Sequence, residues 1–500
     1  MDVPEIRAIV AQFMRHDGLA AAALVCKSWN VTFTPALYSR IYMHCYKGAD
    51  KEGFIANADF ICHLELTEDE VHLFSRICTK IGSLCIKTLS SWSPPNLNQL
   101  STLVRRNSSI RSINIGHGCA MSCKELLPAV SSCSDLRNLD ISGFILDSVC
   151  MGFIFDIAIH LDTLRIHCLV TFPESLDKWP CFPSMKEVYL DEAIPAQSYL
   201  EVIRRCPELR VLRWHIKQDD PCPVSHISSV FKLYCPSVKQ LTLEAAHLMD
   251  ENIAEILNGC HRLVSVHLPG SKFGELAFLS LSRHFTTLRG LNLERCAGLT
   301  STMVQQIMTS CRRLTDLTAT TLDAIDILGD TNEEESIRTG TGIRDQSQEW
   351  VCVDLDSLGV FICGLEGKPI EWHQKVMQRL AKLTKLTSLS VGPKLYSYSS
   401  STGTRDGLDL RVKTGLDALS SLKRLECLFF DGLWQQMEEQ DMRWMIEAWP
   451  EFFFLHGRMH SDPRQRWKMN QVLKERNICT SIFDDDFLSE PMDEPERRRG

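Results

Sequence analysis

The segment LRGLNLERCAGLTSTMVQQIMTSCRRLTDLTA, residues 288–319, contains two copies of one six-residue pattern whose first, fourth and sixth positions are apolar. The apolar positions that end each hexad alternate with polar ones, as a half-buried β-strand requires. Between the two hexads, Val304, Ile307 and Met308 recur at helical spacing and predict one buried helix face. The segment therefore predicts a unit of one strand and one helix.

The hexad recurs along most of the chain. Its thirteen copies begin at Ile81, Ile110, Leu136, Leu161, Met185, Leu209, Val238, Leu263, Leu288, Leu314, Trp350, Leu386 and Leu425. Successive copies begin 24 to 29 residues apart as far as Leu314 and 36 to 39 residues apart beyond it. Because one short strand cannot bury its apolar face alone, a period in the twenties predicts parallel stacking of the units into a solenoid.

The repeated segment resembles the leucine-rich repeats, and Leu288–Thr300 is close to the cysteine-containing subtype found in F-box proteins. The resemblance implies an α/β horseshoe with parallel strands on its concave face and helices on its convex face. We predict this solenoid over residues 81–456, with polar loop insertions at 324–349 and 392–414. A connector at 46–80 precedes it, and a cap with a disordered tail at 457–500 follows it.

Residues 1–45 lack the hexad and predict a small helical domain. Ile6, Ile9, Val10 and Phe13 lie at i, i+3, i+4 and i+7, which is one apolar helix face. An alanine-rich second helix and a third apolar segment follow. A unit of this size is too small to bury all its apolar residues internally, so we expect it to dock on the first repeat or on a partner.

This N-terminal segment resembles the F-box. Val3-Pro4-Glu5-Ile6 is similar to the family's opening Leu-Pro-x-Glu-Ile, one residue shorter and with valine for leucine, and residues 24–29 (LVCKSW) are similar to its Val-Cys-Lys-x-Trp ending. Taken with the repeats, the chain resembles a fungal-type F-box/leucine-rich-repeat substrate receptor. In that family the segment binds the small adaptor that joins F-box proteins to a cullin scaffold. The resemblance implies adaptor contacts by Val3, Pro4, Ile6, Ile9, Val25, Cys26 and Trp29.

Composition narrows the function classes. The net charge of −9 argues against general nucleic-acid binding, and no apolar run approaches the length of a membrane span. The N-terminus MDVPEIRAIV carries acids where a secretory signal carries bases. We therefore predict an intracellular protein, cytoplasmic and/or nuclear, with neither a nucleic-acid nor a membrane partner.

The cysteines indicate packing rather than disulfides. Of the 21 cysteines, five lie three residues before the first position of a hexad: Cys133, Cys206, Cys235, Cys260 and Cys311. One repeat position occupied five times predicts a shared role at the end of each helix, which a small buried thiol suits. Disulfides are not expected in a reducing compartment.

Motifs for bond chemistry are missing from the sequence. His117, Cys119 and Cys123 do not have the spacing of a zinc site, and His456 with His460 lacks the glutamate of a hydrolytic zinc motif. Neither a phosphate-binding glycine loop nor a nucleophile elbow is present. We predict no catalytic residue, no metal and no cofactor.

The concave face offers a candidate target site. Its fifth hexad positions read Asn114, Asp140, Arg165, Tyr189, Arg213, Thr242, His267, Asn292, Thr318, Asp354, Ser390 and Phe429. Two guanidinium groups around an aromatic ring suit a carboxylate or phosphate. The candidate target-binding residues are Arg165, His167, Tyr189, Arg213 and His215. The alternative is a solvated strand face in which Arg165 pairs with Asp140 and Arg213 stacks on Tyr189.

These features predict the substrate-recognition subunit of an SCF-type cullin ubiquitin ligase, which binds an adaptor through residues 1–45 and an unidentified target protein through the repeats. It performs no bond chemistry itself and acts by proximity. The alternative is a non-ligase scaffold whose N-terminal helices only cap the first repeat. Trp29 distinguishes the two hypotheses, because a capping residue is buried against that repeat whereas a docking residue is accessible.

Overall fold

The computed structural model describes residues 3–43, 51–67, 70–87, 96–170, 179–190, 195–216, 224–244, 246–329, 349–393 and 404–481. The chain forms two compact units. Unit 1 comprises residues 1–245 and 255–262, and unit 2 comprises residues 246–254 and 263–500.

Unit 1 contains three N-terminal helices and a parallel sheet in which each strand pairs with the next along the chain. The N-terminal helices are α1 (Pro4–Ala11), α2 (His16–Ala23) and α3 (Lys27–Tyr38). The strands are β1 (Arg40–Tyr42), β2 (His63–Thr67), β3 (Ser83–Lys87), β4 (Ser112–Ser122), β5 (Asn138–Leu146), β6 (Thr163–Val170), β7 (Glu187–Leu190), β8 (Val211–His215) and β9 (Gln240–Glu244). Strictly sequential parallel pairing is the topology that the hexad period predicts.

Helices connect the strands of unit 1. They are α4 (Lys51–Ala56), α5 (Val71–Ile77), α6 (Leu97–Arg106), α7 (Leu127–Val130), α8 (Ser148–Ala158), α9 (Ala196–Arg204) and α10 (Val224–Tyr234). Their starts follow local signals: Asp147 caps α8 by accepting a hydrogen bond from the Cys150 amide at 2.9 Å.

The core of unit 1 follows the hexad. Leu164 and Ile166, at the fourth and sixth positions of one hexad, are fully buried, and so are Leu212 and Trp214 of another. The third and fifth positions point to the opposite side of the sheet, because successive side chains in a strand alternate. We call this opposite side the strand face.

Unit 2 repeats the arrangement with eight parallel strands, again paired in chain order. They are β10 (Ser265–His267), β11 (Gly290–Asn292), β12 (Asp316–Asp323), β13 (Ser357–Cys363), β14 (Ser388–Ser390), β15 (Cys427–Phe429), β16 (Phe454–His456) and β17 (Cys479–Ser481). Helix α11 (Asp250–Gly259) contains the unit boundary, and the further helices are α12 (Glu275–Ser282), α13 (Ser301–Ser310), α14 (Ala324–Leu328), α15 (Ile370–Leu380), α16 (Glu439–Ala448) and α17 (Pro463–Lys474). The predicted α/β class and parallel strand–helix repeat of leucine-rich type are confirmed within each unit.

The register contradicts one predicted hexad. Trp350 does not begin a strand: its indole Nε1 donates to Gln305 Oε1 at 2.9 Å, and its side chain is buried. The strand residue that pairs with Thr318 is Gly359, so Asp354 does not belong to the fifth-position ladder. Asp354 is instead an exposed loop residue that pairs with Lys385. The hexad begins at Leu355, because the preceding residues pack back on helix α13.

The cysteine position is confirmed as a packing site. Cys133, Cys206, Cys235, Cys260 and Cys311 are all buried at the ends of their helices. Burial raises the pKa of the Cys235 thiol to about 12. The corrected register adds Cys352, three residues before Leu355, and Cys78 holds the same place before Ile81. Both thiols are buried, and burial raises the pKa of each to about 12.

The strand array extends beyond the predicted range of 81–456. Strand β2 and helix α5 occupy the expected connector at 46–80, and residues 61–66 (ICHLEL) repeat the hexad pattern only 20 residues before Ile81. This spacing is shorter than the period, which hid the copy. At the other end, helix α17 and strand β17 add a further repeat within 457–481, while the predicted disordered tail lies outside the described residues from 482 onward.

Both predicted loop insertions are shorter than expected. Residues 324–328 form helix α14, in which Ala324 and Ile327 are buried, and residues 330–348 lie outside the described part. In the second insertion, residues 394–403 lie outside the described part, but residues 404–414 are folded. There the Gln435 side chain accepts from the Leu410 amide at 2.9 Å and donates to the Leu408 carbonyl at 2.7 Å.

Candidate functional site

The N-terminal helical unit has a small core of its own. Its buried members come from all three helices: Ala11, Leu19, Ala22, Ala23 and Phe33. Trp29 packs against this cluster, with its ring centroid 5.2 Å from that of Phe33. Trp29 is therefore half-buried inside the helical unit, which matches neither the docking nor the capping environment expected from the sequence.

The predicted apolar face of α1 faces solvent. Ile6, Ile9 and Phe13 are 47, 57 and 83% exposed, whereas Arg7 and Ala11 occupy the buried face. Pro4 begins the helix in its first turn, where a missing amide hydrogen costs nothing. The apolar spacing thus identified the helix and the face correctly, but that face does not form the core.

A second exposed apolar group lies at the turn between α2 and α3. Leu24 is 85% and Val25 62% exposed, and Val31 follows on α3 at 74%. Arg7 Nη1 donates to Ser28 Oγ at 3.1 Å, which ties α1 to the first turn of α3 and brings the two groups together. We call the combined set the N-terminal apolar surface: Val3, Ile6, Ile9, Phe13, Leu24, Val25 and Val31.

Of the predicted adaptor contacts, Val3, Pro4, Ile6, Ile9, Val25 and Cys26 are exposed and Trp29 is not. Phe13, Leu24 and Val31 were missed as candidates, although Phe13 shares the helix face of Ile6 and Ile9.

Cys26 lies within this surface, directly before α3. Its Sγ is 3.2 Å from Ser28 Oγ. Hydrogen bonds from Ser28 and from the Trp29 amide, with a smaller contribution from Arg7, lower the pKa of this exposed thiol.

The strand face of unit 1 brings the predicted target-binding residues together. Asp140, Arg165, Tyr189 and Arg213 are consecutive register partners on β5 to β8, as the hexad alignment predicts. His167 follows two residues after Arg165 on the same face, and its ring centroid lies 4.3 Å from that of Tyr189.

Arg165 is engaged by a carboxylate of its own sheet. Its Nε and Nη2 donate to Glu187 Oε1 at 3.0 and 2.8 Å, while its Nη1 is 3.8 Å from Asp140 Oδ2. Glu187 occupies a third hexad position, which a comparison of fifth positions alone does not detect. Arg165 therefore does not pair with Arg213 to form the expected two-guanidinium anion clamp.

Arg213 remains exposed on β8, and its backbone carbonyl accepts from Tyr199 Oη at 2.6 Å. The stacking of Arg213 on Tyr189 is not observed among the described residues. His215, on the same strand, is bonded to Glu244 Oε2 through Nδ1 at 3.2 Å. Burial raises the pKa of Asp140, with His167 and Arg165 acting in the opposite direction.

Metal and membrane chemistry find no support in the described part of the chain. No group of three or more potential ligands is assembled there, and the side chains of His117 and Cys119 lie outside it. Cys123 is buried, which raises the pKa of its thiol. His460 Nδ1 accepts from the Asp462 amide at 2.9 Å, and His456 faces Asp431. Within the described ranges, no helix combines the length and apolar character that crossing a bilayer demands.

No family model and no curated protein matches the chain. Among solved structures it is similar to an internalin from Listeria monocytogenes str. 4b F2365, at 14% identity and a TM-score of 0.33 over 77% of this chain and 82% of that one. It is also similar to the yeast Rad7 and Elc1 complex, at 10% identity and a TM-score of 0.43 over 92% and 90%. A third is the TLR13–ssRNA13 complex, at 10% and 0.35 over 84% and 65%. All three TM-scores are below 0.5, so the strand register establishes the fold.

Proposed function

We propose that the chain is the substrate-recognition subunit of an SCF-type cullin ubiquitin ligase. The N-terminal apolar surface binds the adaptor that links it to the cullin scaffold, and the strand face binds a target protein. The chain performs no bond chemistry, since its contribution is to hold a target lysine near the activated ubiquitin supplied by other subunits. The observation that carries this proposal is the exposure of the N-terminal apolar surface.

Seven large apolar side chains are 47 to 85% exposed on about thirty residues of helix. Single exposed apolar residues are ordinary, but a rimmed cluster indicates an interaction site. Full burial of one such side chain contributes about 1.5–3 kcal/mol, so covering the set contributes on the order of 5–10 kcal/mol before association costs. The helices do not need these residues for their own core, which Phe33 and the small residues of α2 provide.

The resemblance of residues 3–6 and 24–29 to the F-box supports an adaptor as the occupant. Both matching segments lie in the N-terminal apolar surface, although they are far apart in sequence. The Arg7–Ser28 hydrogen bond joins the elements that carry them. The strand face supports target binding because β5 to β8 present charged and aromatic side chains on one side of a rigid sheet.

A second candidate is a scaffold that recruits no ligase. It is favoured by the continuity of α3 with the first repeat: the Ser39 carbonyl accepts from the Cys62 and His63 amides at 3.1 and 2.9 Å. Tyr38 and Phe54 also pack edge to face at 6.0 Å. In this candidate the helices only cover the edge of β1.

Affinity purification tests the two candidates. The double variant Ile6→Asp/Ile9→Asp places two charges on the N-terminal apolar surface without touching the helical core. Substitution is preferable to removal of residues 1–45, because that truncation deletes β1. The matched control is Leu276→Asp/Leu279→Asp, an exposed apolar pair at the same i, i+3 spacing on α12.

We expect an adaptor and a cullin to co-purify with the wild type and the control, and to fall by about tenfold or more with the Ile6/Ile9 variant. Absence of both proteins from the wild-type sample, or their retention by the variant, refutes the ligase assignment and leaves the scaffold.

A further inference from the structure

The charged side chains on the strand face of β5 to β8 do not all neutralise one another. Arg165 and Glu187 form a close pair through two donors on one carboxylate oxygen. Asp140 lies on one side of this pair, and Arg213 lies two strands away on the other.

Asp140 is only partly compensated. Its contact with Arg165 Nη1 is 3.8 Å long, compared with 2.8 Å between Arg165 Nη2 and Glu187. The Asp140 side chain is about one-fifth exposed, so a carboxylate there has lost much of its hydration. Its raised pKa, caused first by burial, agrees with this shortage of neutralising charge.

Arg213 is the complementary case. Among the described residues its guanidinium makes no hydrogen bond or ion pair, and the side chain is exposed. The nearest acid on the next strand, Glu244, is opposite His215 rather than Arg213, and is bonded to that histidine.

Tyr189 lies between the two ends, next to Arg213 and stacked with His167 at 4.3 Å. An aromatic platform of this kind buries an apolar side chain at low entropic cost. The strand face thus presents, in order, an acid, a neutralised ion pair, an aromatic pair and a base.

We propose that this face binds an extended segment of the target protein that crosses the strands, with a cationic side chain on Asp140, an apolar side chain on Tyr189, and a carboxylate or phosphate on Arg213. The inference rests on target binding by the strand face under the proposed function. From β5 to β8 is three strand spacings of about 4.8 Å, or about 14 Å, and an extended chain covers that distance in about four residues. The target segment therefore carries opposite charges about four residues apart.

The test is a synthetic peptide array probed with the purified full chain. Eleven-residue peptides carry Lys with Asp or with phosphoserine, one to eight residues apart, around a central leucine. Matched sets carry two Lys or two Asp. We expect the strongest signal from opposite charges four residues apart, and the Asp and phosphoserine arms decide which anion is preferred.

Charge reversal provides the specificity control. Arg213→Asp shifts the preference toward peptides with two Lys, and Asp140→Lys shifts it toward peptides with two Asp, each by about threefold or more. The neutral variants Arg213→Gln and Asp140→Asn weaken binding of the mixed peptides without reversing the preference. The matched controls, Arg210→Asp and Asp135→Lys, change exposed charges that precede the same strands and leave the preference unchanged.

No binding by the wild type, no preference for opposite charges, or equal shifts with the control variants overturns the inference. Adaptor capture by the same preparations reports separately on the ligase assignment, since Ile6 and Ile9 are remote from this face. Lost peptide selectivity with retained adaptor refutes only the binding mode, and retained selectivity without adaptor refutes only the ligase role.

Discussion

Replacing Asn107 by Ala is expected to destabilise unit 1 severely. Asn107 is 1% exposed and occupies the repeat position that cysteine holds elsewhere, three residues before Ile110. Its Oδ1 accepts from the Ile81 amide at 2.8 Å, and its Nδ2 donates to the Cys78 and Leu103 carbonyls at 3.0 and 2.8 Å. The substitution leaves three buried backbone groups without these partners, at about 1–3 kcal/mol each, so we expect a loss of at least about 3 kcal/mol.

Urea unfolding followed by circular dichroism measures this loss, and hydrogen exchange at the Ile81 amide reports the local effect. Asn98→Ala, an exposed position on the same helix, is the matched control and is expected to change stability by less than about 0.5 kcal/mol. If Asn107→Ala costs less than about 1 kcal/mol and the Ile81 amide stays protected, the hydrogen bonds do not stabilise the repeat as argued.

Three further predictions concern other parts of the chain. Gly457→Ala is expected to cost about 1–3 kcal/mol or more, because φ is +142° and a Cβ there would lie 2.5 Å from the Phe430 ring; Gly152→Ala, with nothing within 4 Å, is the stabilising control in the same urea assay. Burial lowers the pKa of His373, whose Nδ1 accepts from the Asp409 amide. The unfolded state therefore binds a proton first as pH falls below about 6.5, so this contribution to stability is present above that pH and lost below it. His373→Asn should flatten the dependence of the urea midpoint between pH 7.5 and 5, and an unchanged slope would contradict the assignment. Iodoacetamide at pH 7.5 should modify Cys26, whose pKa is lowered, faster than exposed Cys62 and long before the buried thiols; mass spectrometry gives the order, and equal rates would argue against activation of Cys26.

Much of the strand register was readable from the sequence. From Asn114 to Thr242, the predicted fifth positions are register partners without exception. They are again partners from His267 to Thr318. Regular spacing explains this success, because each turn of the chain must return the same hexad position to the same place on the sheet.

The prediction failed where spacing was irregular. At Trp350 a false hexad precedes the true one at Leu355, and both satisfy the apolar pattern. The cysteine position would have distinguished them, because Cys352 lies three residues before Leu355, whereas no cysteine lies three residues before Trp350. A feature shared by several repeats therefore fixes register better than apolarity alone.

The candidate sites were predicted only in part. Helical spacing identified Ile6 and Ile9 as one face, but spacing cannot tell whether a face turns inward or outward. The outward orientation arises because α2 supplies small residues such as Ala22 that pack against α1 and α3 closely enough to exclude it. Likewise, Arg165 was identified as a strand-face residue, but its partner Glu187 belongs to a neighbouring strand and a different hexad position.

The row of buried thiols determines how this protein behaves once it has been denatured. In the native chain, Cys78, Cys133, Cys206, Cys235, Cys260, Cys311 and Cys352 are held protonated by burial, and oxidants do not reach them. Unfolding returns each to an ordinary thiol pKa of about 8.5 and lets them meet at random. Without a reductant, the resulting crosslinks make loss of the native state irreversible, so the recovery of folded protein after heating depends on the redox potential of the buffer rather than on thermodynamic stability.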